Sequence, residues 1–192
     1  MKYISILLSA SLITFLFTGC SKESDSNELT AAAVESLNRI VGDYEIVSMT
    51  WNGPSVDVDN DGLADCEFTE KHIFQFGSEN FAQVSGPMTL DERGRISYGY
   101  PVSQLDEESR EFFNIPGYQL IMYRKYDGFS VSGAGDISVE LDDYEFHGQY
   151  LKNLRFEWID DGFIITADSH LWDFITSSEV KGKTIVEYRK KN

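Results

Sequence analysis

The sequence predicts an all-β fold: eight to ten short antiparallel strands, run up and down into a closed barrel or a sandwich, with one short N-terminal helix. Three observations carry this. Apolar and polar residues alternate through the middle of the chain, as Ile96, Tyr98 and Tyr100 do against Arg95, Ser97 and Gly99. Glycine-bearing turn signals punctuate these runs. No long amphipathic helices intervene to build a parallel sheet. A chain of 192 residues is long enough for one domain with a sizeable core. Its net charge of −16 repels phosphate backbones, so nucleic acid is excluded as a partner.

The chain opens with an address. Lys2 is followed by an apolar run over residues 4–17 and then by Thr18-Gly19-Cys20, the order of charge, short apolar stretch and small residues that precedes a cleavage point. The run is too short for an ordinary membrane span. It resembles the signal peptide and lipobox of bacterial lipoproteins, with Phe17 where that family usually has Leu. The resemblance implies that residues 1–19 are removed and Cys20 is acylated with fatty chains such as palmitate. The protein would then hang from the outer membrane, facing the periplasm or the cell exterior. Several acyl chains on one residue give stable anchoring. An ordinary signal peptide is the competing reading. Residues 20–28, lipidated cysteine and polar leash, would tether a domain over 29–192. Within the leash, Ser21-Lys22-Glu23 resembles the short signals that send some lipoproteins to the outer cell face.

Residues 30–41 have helical spacing, with Ala33, Leu37 and Ile40 or Val41 on one stripe, Thr30 or Asn27 as cap and Gly42 as stop. So short a helix is unstable alone, and its stripe must cover the domain. The next stretch, 42–51, is the first strand, and 184–191 is the last. Gly42-Asp43-Tyr44 resembles the Gly-x-Trp motif of lipocalin-like domains, with Tyr44 at the Trp position. Arg189, or else Lys190, matches the basic residue that packs across that aromatic in the family. The resemblance covers the two ends of the domain, and the family's middle motif is not visible. It implies a lipocalin-like β-barrel instead of a sandwich, and a small hydrophobic or amphipathic ligand within it. Closure also removes sheet edges.

Between those ends the expected strands are 71–76, 81–85, 95–100, 118–126, 129–132, 137–141, 144–150, 154–159 and 163–167. Asp91-Glu92-Arg93-Gly94 is a turn, and residues 106–114 form a short helical piece before Pro116. Asp127-Gly128 and Asp160-Asp161-Gly162 read as hairpin turns in which glycine takes positive φ.

The chemistry is concentrated in Asp57-Val58-Asp59-Asn60-Asp61-Gly62. Alternate carboxylates on a tight turn suit a calcium ion, with Asp57, Asp59, Asp61, the Leu63 carbonyl and Asp65 as ligands. The twelfth place of such a loop, normally glutamate, is Phe68. An acidic turn that binds nothing is the alternative. Tyr44, Trp51, Phe74, Tyr98, Tyr100, Tyr123, Phe156 and Trp158 either line a ligand cavity or fill the barrel, and Trp172 joins the same aromatic set.

His72, His147 and His170 lack metal-ligand spacing. Adjacent strand residues such as Asp168, Ser169 and His170 point to opposite faces, so they form no relay. Cys66, beside Asp65 and Glu67, is an inert thiol. The expectation is a ligand-binding, non-enzymatic envelope lipoprotein. The alternatives are a filled structural barrel contacting an envelope protein or glycan, and an envelope hydrolase using a pair among Asp142, Asp143, Asp160, Asp161 and Asp168.

Overall fold

A computed structural model describes residues 27–73, 81–105, 118–146 and 149–191. Cys20, Phe74, His147, the leash before residue 27 and the expected helical piece at 106–114 lie outside the described residues. The helix α1 spans Ala31–Ile40. The strands are β1 Gly42–Asn52, β2 Phe81–Ser85, β3 Gly94–Leu105, β4 Tyr118–Val131, β5 Ile137–Glu140, β6 Tyr144–Phe146, β7 Gln149–Ile159, β8 Gly162–Asp173 and β9 Ser178–Lys190. All nine belong to one antiparallel sheet in the order β5-β4-β3-β2-β1-β9-β8-β7-β6. The fold is the expected up-and-down barrel, nearly closed, with the first strand paired to the last from Tyr44↔Lys190 to Asn52↔Lys183.

The sheet curls because one face of each strand is apolar and must be hidden. β8 shows this along its length, with Phe163, Ile165, Ala167, Ser169 and Leu171 buried and the residues between them half-exposed. β3 supplies Ile96, Tyr98, Tyr100 and Val102 from across the interior, and it packs against β7 and β8. Phe163 sits at the centre, its ring 4.6 Å from Tyr188, 4.9 Å from Phe156 and 5.1 Å from Tyr44. The buried tyrosine hydroxyls find partners. Tyr100 donates to the Thr184 carbonyl at 2.6 Å, Tyr188 to the Gly99 carbonyl, and Tyr44 to the Ile40 carbonyl.

α1 forms as expected. Thr30 Oγ1 accepts the Ala33 N–H at 3.1 Å, and Ala33, Leu37 and Ile40 make the buried stripe. At its other end Lys190 Nζ donates to the Arg39 and Asn38 carbonyls, a favourable place for a cation at a helix C-terminus. Gly42, at φ +148°, turns the chain from helix into β1. Arg189 lies exposed and pairs with Glu187, while Lys190 is the residue registered opposite Tyr44. No cation stacks on Tyr44 among the described residues; its ring meets Phe163 instead.

Three local expectations are corrected. Asp127-Gly128 is no turn: β4 runs unbroken through it, with Gly128 paired to Arg95 on one side and Glu140 on the other. Its polarity arises because Asp127 points inward to a buried partner, not because the chain bends. The Asp160-Asp161 turn does join β7 to β8, with Ile159 opposite Gly162. Gly162 is not among the positive-φ glycines, however. It is required because a Cβ there would lie 1.9 Å from the Tyr188 carbonyl oxygen. Finally, Lys71 and His72 form a single 3-10 turn, Glu70–His72, and not the start of a strand.

Candidate functional site

Two places gather polar or exposed apolar groups on this frame. The first is the aspartate loop after β1. Its stems are clipped by backbone hydrogen bonds in both directions between Val56 and Asp65 at 3.0 Å. Asn60 and Gly62 turn it with positive φ, and the space around Gly62 is open. Asp57 is buried and organises the turn: its carboxylate accepts the Asn60 N–H at 2.7 Å and the Gly62 N–H at 3.0 Å. Asp61 likewise accepts the Leu63 N–H at 2.8 Å.

Oxygens of Asp57, Asp59 and Asp61 lie within 4.8 Å of one another. Calcium–oxygen distances of about 2.3–2.6 Å place ligands on opposite sides of one ion up to about 5 Å apart, so these three carboxylates fit a shared cation. Asp65 is not in the cluster. It accepts from Nε2 of the buried His72 at 3.0 Å, because the Thr69 N–H donates to Nδ1 and leaves the ring proton on Nε2. Phe68, in the twelfth place, is buried in the core. An anchor not anticipated from sequence is Asp173, at the end of β8. It accepts the Asp57 N–H at 2.9 Å, and donors from Ile175 and Thr176. Burial pushes its pKa up, but these hydrogen bonds outweigh burial and hold it below the ordinary aspartate value.

The second place is a gap in the barrel wall. β6 pairs with β7 only from Gln149 to Leu151, so from Lys152 to Ile159 β7 has a neighbour on one side alone among the described residues. β5 likewise pairs only with β4. The inward side chains Ile137, Val139, Leu141, Leu154, Phe156 and Trp158 therefore face each other across an unclosed seam of about 200 Å³. Trp158 has a buried Nε1 with no hydrogen-bond partner among the described residues. The seam opens into a cleft of about 860 Å³ beside the C-terminal end of α1, sharing Ile137 and Trp158 with it. Arg39, Arg189, Asp160 and Asp161 stand on the rim of that cleft.

The expected aromatic set divides accordingly. Tyr44, Trp51, Tyr98 and Tyr100 are buried in the packed interior, with Trp51 Nε1 donating to the Pro54 carbonyl at 2.8 Å. Burial lifts the Tyr44 hydroxyl to about 12. Tyr44 also borders the cleft, while Phe156 and Trp158 line the seam. Tyr123 stacks on Tyr144 at 4.5 Å, and Trp172 on Tyr118 at 3.9 Å. The seam aliphatics and Arg39 carry no functional signal in sequence, because there they are ordinary strand and helix-end residues, whereas Arg189 stands out only as the expected partner of Tyr44.

The interior also holds a charged pair: Lys125 Nζ lies 2.6 Å from Asp127 Oδ1, both buried, with Tyr98 donating to Oδ2. Ser169 and His170 point to opposite faces, the first buried and bonded to the Ala167 carbonyl, the second stacked on Tyr150 at 4.1 Å. Asp168 is held below its ordinary pKa by Lys183 and Asn153. Comparison of the chain with protein-family models, curated proteins and solved structures gives no match.

Proposed function

We propose that this chain is an envelope lipoprotein, anchored through Cys20 in the outer membrane and facing the periplasm or the cell exterior. Its lipocalin-like barrel binds a small hydrophobic or amphipathic ligand. The ligand site is the lateral seam and its cleft, not the lumen. One observation carries this: half-buried apolar side chains of β5 and β7 face a gap that continues into a cleft of about 860 Å³, within the range of small-molecule sites. The same reading puts calcium in the aspartate loop, supported by the mutual distances of Asp57, Asp59 and Asp61. Calcium would add positive charge there and rigidify the turn between Val56 and Asp65.

Native mass spectrometry of the mature chain, with Cys20→Ser and before and after chelator, tests both parts. A co-purifying organic mass and the loss of one calcium mass with a lower melting temperature are the expected results. Unchanged mass and melting on chelation would remove the calcium. The packed aromatic interior around Phe163 favours a second reading, a filled barrel that acts as an interaction module for an envelope protein or glycan. Under that reading no organic mass co-purifies.

A further inference from the structure

The seam and the cleft form one site with two ends of opposite character. Resting on the ligand-binding reading above, we infer that its ligand is an amphiphile with a short alkyl tail in the seam and a zwitterionic head in the cleft. The tail end is lined by Ile137, Val139, Leu141, Leu154, Phe156 and Trp158, whose only polar side-chain atom is Trp158 Nε1. Its 200 Å³ admits roughly seven groups of water or methylene size at about 30 Å³ each, which suits a tail of about seven carbons.

The head end carries both signs of charge. Arg39, Arg189 and Lys190 line the cleft together with Glu45, Asp136, Asp160 and Asp161. Arg39 is exposed, and among the described residues neither it nor Asp160 nor Asp161 has an ion-pair partner, so charge of each sign is left for a ligand. Among the described residues Arg189 spends only Nε on Glu187, which leaves its terminal nitrogens. A head of one sign gains from the groups of opposite charge and is repelled by the rest. A head with a phosphate and an ammonium meets a partner for each.

The test uses the mature chain with Cys20→Ser, which retains every described element, and the neutral fluorophore N-phenyl-1-naphthylamine as the apolar probe. Displacement is measured with octyl and decyl amphiphiles below micelle formation, bearing phosphocholine, sulfate, trimethylammonium or maltoside heads. Phosphocholine should displace the probe at concentrations at least tenfold lower than the other three, with little gain from octyl to decyl. Arg39→Gln, or Asp160→Asn with Asp161→Asn, should erase that tenfold advantage while probe binding persists. If the probe binds but all heads compete equally, or one singly charged head wins, the head assignment is overturned and the ligand-binding reading survives. A continued steep gain from octyl to decyl overturns the tail assignment. If the probe does not bind at all, the ligand-binding reading fails and takes this inference with it.

Discussion

Asp173 shows how one carboxylate can govern a distant loop. It receives a backbone N–H from Asp57 and further donors from the turn that follows β8, so it couples the aspartate loop to the barrel. Asp173→Asn replaces one accepting oxygen with a donor and should cost about 1–3 kcal/mol, read from denaturant unfolding at neutral pH. The sign of the pH effect follows from the lowered pKa. The contribution is fully present above the ordinary aspartate value of about 3.9 and is lost as pH falls through the lower folded value. The stability gap between the two proteins should therefore shrink below about pH 4, and a gap independent of pH would refute this role. Nothing in the sequence marks Asp173 as the partner of Asp57, because 116 residues separate them and only the fold brings them together. Asp57, Asp59, Asp61 and Gly62 were legible, because their spacing is local and the turn they build is made by their own backbone.

At the level of elements, two Asp-Gly signals that look alike behave differently. Asp160-Asp161 before Gly162 is a hairpin turn, while Asp127-Gly128 lies inside β4. Inserting two glycines between Asp160 and Asp161 should cost little, since lengthening an exposed loop is entropically mild. The same insertion between Asp127 and Gly128 would slide the rest of β4 by two residues against β3 and β5, where Gly128 and Phe129 are registered. The expected result is a melting temperature within a few degrees of the parent for the first, and no cooperative unfolding for the second. Equal tolerance at both places would contradict the continuous β4. Local patterning cannot separate these cases, because an inward aspartate satisfied by a buried lysine and tyrosine has the same letters as a solvated turn.

Across the whole molecule, the wall is strong where β1, β9 and β8 lie side by side and weak where β5 and β7 face the seam. Backbone amides held between two neighbours open only with wider unfolding, whereas a free edge exchanges by local opening. Hydrogen exchange should be slowest in the centre of β9, around Thr184–Tyr188, and faster by orders of magnitude along β5 and the outward amides of β7. Uniform protection around the barrel would mean that the seam is closed in solution. The seam amides should slow further when a ligand occupies the cleft, which links this measurement to the proposed binding.

The strand-rich class, the short capped helix over Ala33, Leu37 and Ile40, and the acidic turn are all legible in the chain before it folds. Each is written in residue spacing or in interactions a few positions apart. Folding in three dimensions is what packs Tyr44, Phe156 and Tyr188 on Phe163, brings the Tyr188 backbone against Gly162, and leaves β5 and β7 unpaired with each other among the described residues. Those outcomes depend on how volumes add up and where a sheet stops pairing, and both are set by residues remote in the chain meeting in space.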